Sequence, residues 1–378
     1  MSLPKVLIHC QYVYGLGHLI RALQLAKGLI SDFDVYFLSG GESVNGLSVE
    51  SKINFIQLDA LYKQEDSSEL SSVDKNLTTD ECLSNREKVI HELIQNIRPD
   101  IIITEHFPFG FLFEKEVLGL ISEAKSVNPY VKIVSSVRDI IETKKGSESD
   151  NKIVKVLNQY YDLLLVHGDE NVIPLETSFS LSDQLKIRQV TTGYIIDSAI
   201  KKQKKKKQTI VVSVAGGRVG RELKDAVINA YSSIKNEINH ELLVFDGAFS
   251  SGYDQGSSDK RIAYFKFDRS LFLQELSQSD ISISLGGYNT TVESLYAANK
   301  VLIYNRVFLG DNFEQEIRIS SLEKLGLITR LDSEQLKPER LAQIIIDTIC
   351  TKADYREIKV NFDGVISSVQ EIRNLIKW

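Results

Sequence analysis

The sequence predicts an α/β protein of two doubly wound, Rossmann-like domains, each a parallel sheet covered by helices. Three observations lead there. Short β-branched strands alternate with longer amphipathic helices along nearly the whole chain, the pattern of a parallel sheet with helices on both faces. Each half opens with a strand that runs through a glycine-rich turn into a helix. The chain is 378 residues long, more than one ordinary core holds at about 100–200 residues per domain.

In the first half Val6–Cys10 reads as a strand, Leu19–Ile30 as a helix, and Val35–Leu38 and Ile53–Leu58 as strands. The polar, Ser-rich stretch Gln64–Val73 reads as a loop. Thr78–Ile97 is helical, with Thr78 or Thr79 placed to cap its first N–H groups. Ile101–Thr104, Val131–Ser135 and Leu163–Val166 are strands, and Leu112–Lys125 and Asp150–Gln159 are helices. Six of the seven residues from Lys201 to Lys207 are lysine, a run too charged to cover a core face, so it reads as a linker. Beyond it Ile210–Val214, Leu242–Phe245, Ala263–Phe265, Ile281–Leu285 and Val301–Tyr304 are strands. Helices follow the glycine turns after Val214 and Leu285 and cover Ser270–Ser277, Phe313–Lys324, Ser333–Thr348 and a last stretch ending at Lys377. The expected division is an N-terminal domain over 1–192 joined by the C-terminal helix 365–378, a basic linker over 193–208, and a C-terminal domain over 209–364.

Composition narrows the function. Hydrophobic residues make up 43% and charged residues 25%, which excludes a disordered chain, a collagen-like repeat and a disulfide scaffold. A formal charge of -6 argues against nucleic acid as a partner. Cys10, Cys82 and Cys350 are scattered without a CxxC spacing, as expected of reduced thiols in the cytoplasm. No apolar run is long enough to span a bilayer, and the start lacks the features of a secretory signal. The lysine run is expected to be a solvated linker; its alternative is peripheral contact with anionic lipid at the inner face of a membrane.

In doubly wound folds ligands bind beyond the carboxyl ends of the strands, so the loops there carry the candidates. The first, Gln11 to His18, holds Gly15 and Gly17 ahead of a helix that begins His18-Leu19-Ile20-Arg21. Glycines let the backbone approach a ligand, and a helix start favours anions. An imidazole here suits proton transfer near neutrality, which makes His18 a candidate base or donor. Three later strand ends carry ionisable residues: Glu105-His106-Phe107-Pro108-Phe109-Gly110, Ser136-Val137-Arg138-Asp139 and His167-Gly168-Asp169. Asp139, His106 and Glu105 are acid/base or acceptor-binding candidates. Phe107 and Phe109 either line an apolar acceptor pocket or anchor the loop. No two histidines form a His-x-x-x-His pair, and no metal site is expected.

In the second half Gly216-Gly217-Arg218-Val219-Gly220 is a glycine turn into a helix, suited to a diphosphate with Arg218 as its partner. Gly286-Gly287-Tyr288-Asn289-Thr290-Thr291 is another, followed by Glu293. That carboxylate either complements the helix dipole or accepts from both ribose hydroxyls of a nucleotide. The polar stretch Asp311-Asn312-Phe313-Glu314-Gln315 suits sugar hydroxyls. Two anion-friendly helix starts and a ribose carboxylate point to a nucleoside-diphosphate ligand.

In this order the motifs resemble the family-28 glycosyltransferases of GT-B fold, whose familiar member is the lipid II N-acetylglucosaminyltransferase. The resemblance spans nearly the whole chain. Gly15 to Arg21 looks like the family's N-terminal glycine loop and histidine, Gly286 to Glu293 like its donor motif ending in the ribose-binding glutamate, and Asp311 to Gln315 like its donor-sugar stretch. The segments at Glu105, Ser136 and His167 are similar to those of a set of uncharacterised bacterial predicted glycosyltransferases. The resemblance implies two Rossmann-like domains facing a central cleft. It implies an inverting, metal-independent transfer without a cofactor, from a nucleotide sugar, UDP-linked, to an acceptor hydroxyl that is lipid-linked, on a glycan or on a small metabolite. The donor site would comprise Gly17, Gly216, Gly217, Arg218, Gly286, Gly287, Asn289, Thr290, Thr291, Glu293, Asp311, Glu314 and Gln315. The acceptor side would comprise Tyr14, Arg21, Glu105, His106, Phe107, Arg138 and His167, with His18 or Asp139 as the base. The first loop has fewer glycines than in the lipid II enzyme and the acceptor-side loops differ, so lipid II synthesis is not expected. Two other readings stand beside this one. The UDP-sugar hydrolase of pseudaminic acid synthesis shares the Gly-x-Gly-His-x-x-Arg loop, with water as acceptor, and a non-catalytic nucleotide- or carbohydrate-binding module would need no base.

Overall fold

The computed structural model describes residues 3–13, 15–63, 69–141, 148–201, 203, 207–214, 216, 219–249, 259–297, 299–306, 313–351 and 359–376. The chain forms two compact units, one from residues 1–43, 48–195 and 361–378, the other from 44–47 and 196–360.

Unit 1 runs β1 (Lys5–Cys10), α1 (Gly17–Leu29), β2 (Asp34–Ser39), β3 (Ile53–Gln57), β4 (Leu61–Lys63), β5 (Leu70–Ser72), α2 (Thr79–Ile97), β6 (Ile101–Glu105), α3 (Glu114–Val127), β7 (Lys132–Arg138), α4 (Glu148–Tyr160), β8 (Leu163–His167) and β9 (Arg188–Thr191). Seven of these strands make one parallel sheet in the order β3-β2-β1-β6-β7-β8-β9. The central strands are buried on both faces, as an unbroken apolar run such as Val6-Leu7-Ile8 requires. The edge strand β3 exposes Asn54 and Phe55. α2 starts at a capping box: Thr78 Oγ1 accepts from Glu81 N at 3.2 Å, and Glu81 Oε2 accepts from Thr78 N at 2.9 Å.

Unit 2 continues with β10 (Lys207–Ser213), α5 (Arg221–Ile234), β11 (Glu241–Phe245), β12 (Ile262–Phe265), α6 (Arg269–Gln278), β13 (Ser279–Leu285), α7 (Tyr288–Tyr296), β14 (Lys300–Tyr304), α8 (Phe313–Lys324), β15 (Thr329–Leu331) and α9 (Pro338–Cys350). Its sheet is parallel, in the order β12-β11-β10-β13-β14-β15. The last helix, α10 (Gly364–Leu375), belongs to unit 1 and packs on α1. Gly28 makes room for it, since a Cβ there would lie 2.3 Å from Val365 Cγ1.

Both units are thus doubly wound, the class expected. Several local expectations change. Within Gln64–Val73, Leu70–Ser72 is a strand paired antiparallel with β4; residues 64–68 lie outside the described residues. The single helix expected over Ser333–Thr348 is a short 3-10 turn, Ser333–Leu336, followed by α9. Pro338 sits in the first turn of α9, where its missing N–H costs nothing, and cannot sit inside a longer helix. β9 and β15 have four and three residues, too few for a periodic signal. The basic segment lies within unit 2, and its last lysine, Lys207, opens β10. Lys202 and residues 204–206 lie outside the described residues. Among the described residues no helix is long and apolar enough to cross a membrane.

Candidate functional site

Each sheet changes direction of progression at one place, between β1 and β6 in unit 1 and between β10 and β13 in unit 2. There the connections leave on opposite faces and open a crevice at the carboxyl ends. The sequence candidates gather at these two places.

In unit 1 the loop after β1 leads into α1, which starts at the exposed Gly17 and carries His18 and Arg21 three residues apart, on one face. Glu105 ends β6. His18 Nδ1 lies 2.9 Å from Glu105 Oε1, and Arg21 Nη2 bonds the same oxygen. Ser136 Oγ donates to Glu105 Oε2 at 2.8 Å. Burial works to raise the Glu105 carboxyl; the Arg21 guanidinium and His18 outweigh it and hold it at about 2. An ionised carboxylate only accepts, so His18 Nδ1 carries its proton and donates, which leaves the lone pair on Nε2. The imidazole keeps 22% of its surface open. Burial lowers its pKa below the ordinary value despite the upward pull of Glu105. The His106 ring leans on His18 at 5.0 Å between centroids. Burial, then His18 and Arg138, push it well below the usual range. His106 sits at φ 72, and Gly110 leaves room for its ring, because a Cβ there would come 2.6 Å from His106 Nε2. Both imidazoles are therefore neutral at pH 7.

The residues expected on the acceptor side divide. His106 and Arg138 are partly exposed beside His18. Arg21 is 1% exposed, Glu105 3% and His167 0%, so these three cannot touch an acceptor. They stand behind His18 and support it. Phe107 and Phe109 are buried in the unit 1 core, with Phe107 edge-on to Phe111 at 6.0 Å, and act as the anchor of their loop. Asp139 is also fully buried, and Gly168 packs on it so closely that a Cβ would lie 2.9 Å from Asp139 Cβ. A sealed carboxylate cannot take a proton from a substrate hydroxyl, which removes Asp139 as the base. Asp169 holds the returning C-terminal segment, its Oδ2 accepting from Asn361 N at 2.7 Å. Tyr14 lies outside the described residues.

A further buried cluster holds the loop after β1. Arg86 donates to Glu116 through Nε at 2.7 Å and Nη2 at 2.8 Å, and to the Gly40 and Asp59 carbonyls. Glu116 Oε1 also meets His9 Nε2 at 2.7 Å and accepts from Gln11 Nε2 at 3.0 Å. Burial raises the Glu116 carboxyl, but Arg86 and His9 bring it down to about 2. Among the described residues no group of three His, Cys, Asp or Glu side chains is placed to hold a metal ion.

In unit 2 the turns after β10 and β13 flank the switch point. Gly220 caps α5 at φ 92, against Leu285 and Val214, whose side chains would lie 2.8 and 2.9 Å from a Cβ. Gly220→Ala is expected to cost about 1–3 kcal/mol through both strain and overpacking, read as a lower urea midpoint at unchanged m-value. Gly216 is partly exposed; Gly217 and Arg218 lie outside the described residues, as does Asp311. Gly287, which has no side chain to cap with, is the N-cap of α7, and a Cβ there would meet nothing within 4 Å. Asn289 is half-buried and Thr290 is 7% exposed at the same helix start. Gly286 is pressed against α8, near Ile319 and Gln315 Cβ. Arg318 fixes this contact, donating to Gly286 O at 2.9 Å and to Glu314 Oε1 at 2.5 Å. Glu314 is therefore a buried partner of Arg318, while Gln315 stays beside the glycine turn. Thr291 and Glu293 are sealed at 0% and 1% exposure. Both Glu293 oxygens are bonded by Arg269, which also lies 3.5 Å from Asp197. Burial raises the Glu293 carboxyl against the pull of Arg269. As placed, Glu293 braces α7 on α6 and does not present itself to a ribose.

Sequence reasoning missed Arg86, Glu116 and Arg269. A signal existed for the first two. Arg86 falls on the apolar stripe Cys82, Ile90, Ile94 and Ile97 of α2, and Glu116 on the stripe Val117, Leu120, Ile121 and Ala124 of α3. A charge at a core position requires a buried partner.

No family model matches the chain, and no curated protein matches it in sequence. Solved structures do match in fold. The calicheamicin glycosyltransferase CalG4 superposes with a TM-score of 0.63 at 12% identity, over 100% of this chain and 99% of its own. UGT2 of Phytolacca americana, solved with UDP-2fluoro-glucose and pterostilbene, gives a TM-score of 0.61 at 15% identity, over 99% and 94%. MurG of Acinetobacter baumannii gives 0.56 at 13% identity, over 98% and 100%. At these identities the likeness is one of architecture, and it extends over the full length of both sheets: the chain has the GT-B fold.

Proposed function

We propose that the protein is a glycosyltransferase that moves a sugar from a nucleoside-diphosphate sugar, UDP-linked, to an acceptor hydroxyl, with inversion and without a metal. The observation that carries this reading is the His18–Glu105 pair at the switch point of unit 1, a neutral, partly open imidazole backed by a buried carboxylate. The fold shared with glycosyltransferases, one of them solved with a UDP-sugar analogue, supports it.

In this mechanism His18 Nε2 accepts the hydroxyl proton as the acceptor oxygen attacks the anomeric carbon. The new carbon–oxygen bond forms as the bond to the diphosphate breaks, and the configuration inverts. The imidazolium that results is stabilised by Glu105, which Arg21 keeps ionised. Unit 2 holds the donor. Its diphosphate meets the start of α7 at Gly287 and the turn at Gly216, where helix ends favour negative charge. Asn289 and Thr290 lie in the first turn of α7, and Gln315 lies beside Gly286. The protein itself supplies the positive end for the leaving group, so the chemistry needs no cofactor.

The test is a thermal-shift and turnover screen against nucleotides and nucleotide sugars. UDP is expected to raise Tm, and Gly287→Trp to abolish the shift while leaving the unliganded Tm unchanged. Gly287 sits at φ -67, which any residue adopts, and a Cβ there meets nothing within 4 Å. Nucleoside diphosphate released without any acceptor would move the reading to a hydrolase with water activated by His18. No shift with any nucleotide would reject the donor site.

A further inference from the structure

A second tier of polar side chains stands behind the His18–Glu105 pair. Successive strands of the unit 1 sheet each supply one. Glu105 ends β6, Ser136 lies opposite it on β7, His167 ends β8, and Thr192 follows β9. None is more than 3% exposed. Ser136 Oγ lies 2.8 Å from Glu105 Oε2 and 3.0 Å from His167 Nε2, and His167 Nδ1 lies 2.9 Å from Thr192 Oγ1.

Counting protons gives this row a direction. Glu105 only accepts, so the single Ser136 hydroxyl proton goes to it. The Ser136 oxygen then accepts from His167, which must carry its proton on Nε2. Neutral His167 has a lone pair left on Nδ1, facing the Thr192 hydroxyl, which also lies 3.0 Å from Gly193 O and 3.3 Å from Val166 O. The other tautomer would set two lone pairs against each other at Ser136. Burial, then Arg21, hold His167 down at about 3, so the ring stays neutral throughout the physiological range. Burying this many polar groups is costly unless every one is bonded, and none of the outer three touches the proton that His18 would take.

We infer that Ser136 and His167 are positioning residues: Nε2-protonated His167 turns the Ser136 hydroxyl onto Glu105, and that bond keeps Glu105 aligned on His18 Nδ1, so that Nε2 is the atom that accepts a proton. This rests on the reading of His18 as the base. The charged and titratable groups facing Glu105 are Arg21 and His18 from α1, His167 from β8, Cys10 from β1 and His106 from the loop after β6. Those facing His18 are Glu105, Arg21, Arg138 and the His106 ring.

Nitrogen NMR of the histidine rings tests this without substrate, so it separates failure of the inference from absence of transferase activity. Near pH 7 wild-type His167 is expected to be the Nε2-protonated and His18 the Nδ1-protonated neutral tautomer. Ser136→Ala removes a donor from Glu105. Its less shared charge then draws the His18 proton more strongly, and His18 titrates at a pH higher by about half a unit or more. In turnover, the acid limb of kcat/KM should move the same way. kcat should fall about tenfold with KM for the nucleotide sugar unchanged, because the loss concerns alignment of the base. His167→Gln keeps an N–H at the Nε2 position and should restore the wild-type His18 titration, whereas His167→Leu should behave as Ser136→Ala. Wild-type His167 protonated on Nδ1, or a His18 titration unmoved in Ser136→Ala, would overturn the inference.

Discussion

His18→Ala is expected to lower kcat by about 10²–10⁴-fold, the range a positioned general base contributes. KM for the nucleotide sugar should stay within about twofold, since the imidazole belongs to unit 1 and the proposed donor site to unit 2. The fold should survive. His18 is itself partly open, and removing it leaves Glu105 still bonded by Arg21 and Ser136. A loss of kcat with near-normal Tm is therefore the expected signature, measured by steady-state release of nucleoside diphosphate beside a melting curve. The pH dependence follows from the same geometry. Burial holds the His18 pKa below its ordinary value, so the base is deprotonated over a wider range and the acid limb of kcat should lie below the ordinary imidazole value of about 6.5.

Arg21→Ala is expected to cost about 3–5 kcal/mol of stability, the penalty for leaving a buried charge without its partner. Arg21 and Glu105 are both sealed, and the guanidinium is what keeps the carboxyl at about 2. The sign of the pH effect is fixed by that shift. The Glu105 pKa is lower folded than unfolded, so as pH falls the unfolded chain takes up the proton first. Its contribution is full above about pH 5, is lost as pH falls toward 2, and amounts to about 3 kcal/mol. In Arg21→Ala the largest influence opposing burial is gone, leaving His18 as the main one, so the carboxyl rises and the variant should lose much of this acid-dependent share. Urea unfolding at pH 7 and pH 3 reads both effects: a large gap between wild type and variant at pH 7 and a smaller one at pH 3.

Much of this was legible in the sequence, for identifiable reasons. The doubly wound class follows from period and from unbroken apolar strands such as Ile101-Ile102-Ile103. The glycine turns at Gly15 and Gly287 fall at the switch points because that is where such folds need them. His18 was legible as a candidate base because a titratable ring directly follows a glycine loop. What was not legible is depth. Residues at strand ends, such as Arg21, Glu105, Asp139 and His167, look alike as letters, whether they face a ligand or lie one layer beneath it. Only packing separates His106, partly open, from His167, sealed two strands away. Glu293 fits a ribose carboxylate by spacing, yet Arg269, twenty-four residues earlier, holds both its oxygens. Pairing across such distances leaves no local pattern.

The most direct test of the central claim compares wild type and His18→Ala in two readouts on the same samples: UDP binding by calorimetry, and nucleoside-diphosphate release from a panel of UDP-sugars with mixed acceptors. The account predicts equal UDP affinity in both proteins, with release confined to the wild type. Release undiminished in His18→Ala, or no nucleotide binding by the wild type, would contradict it.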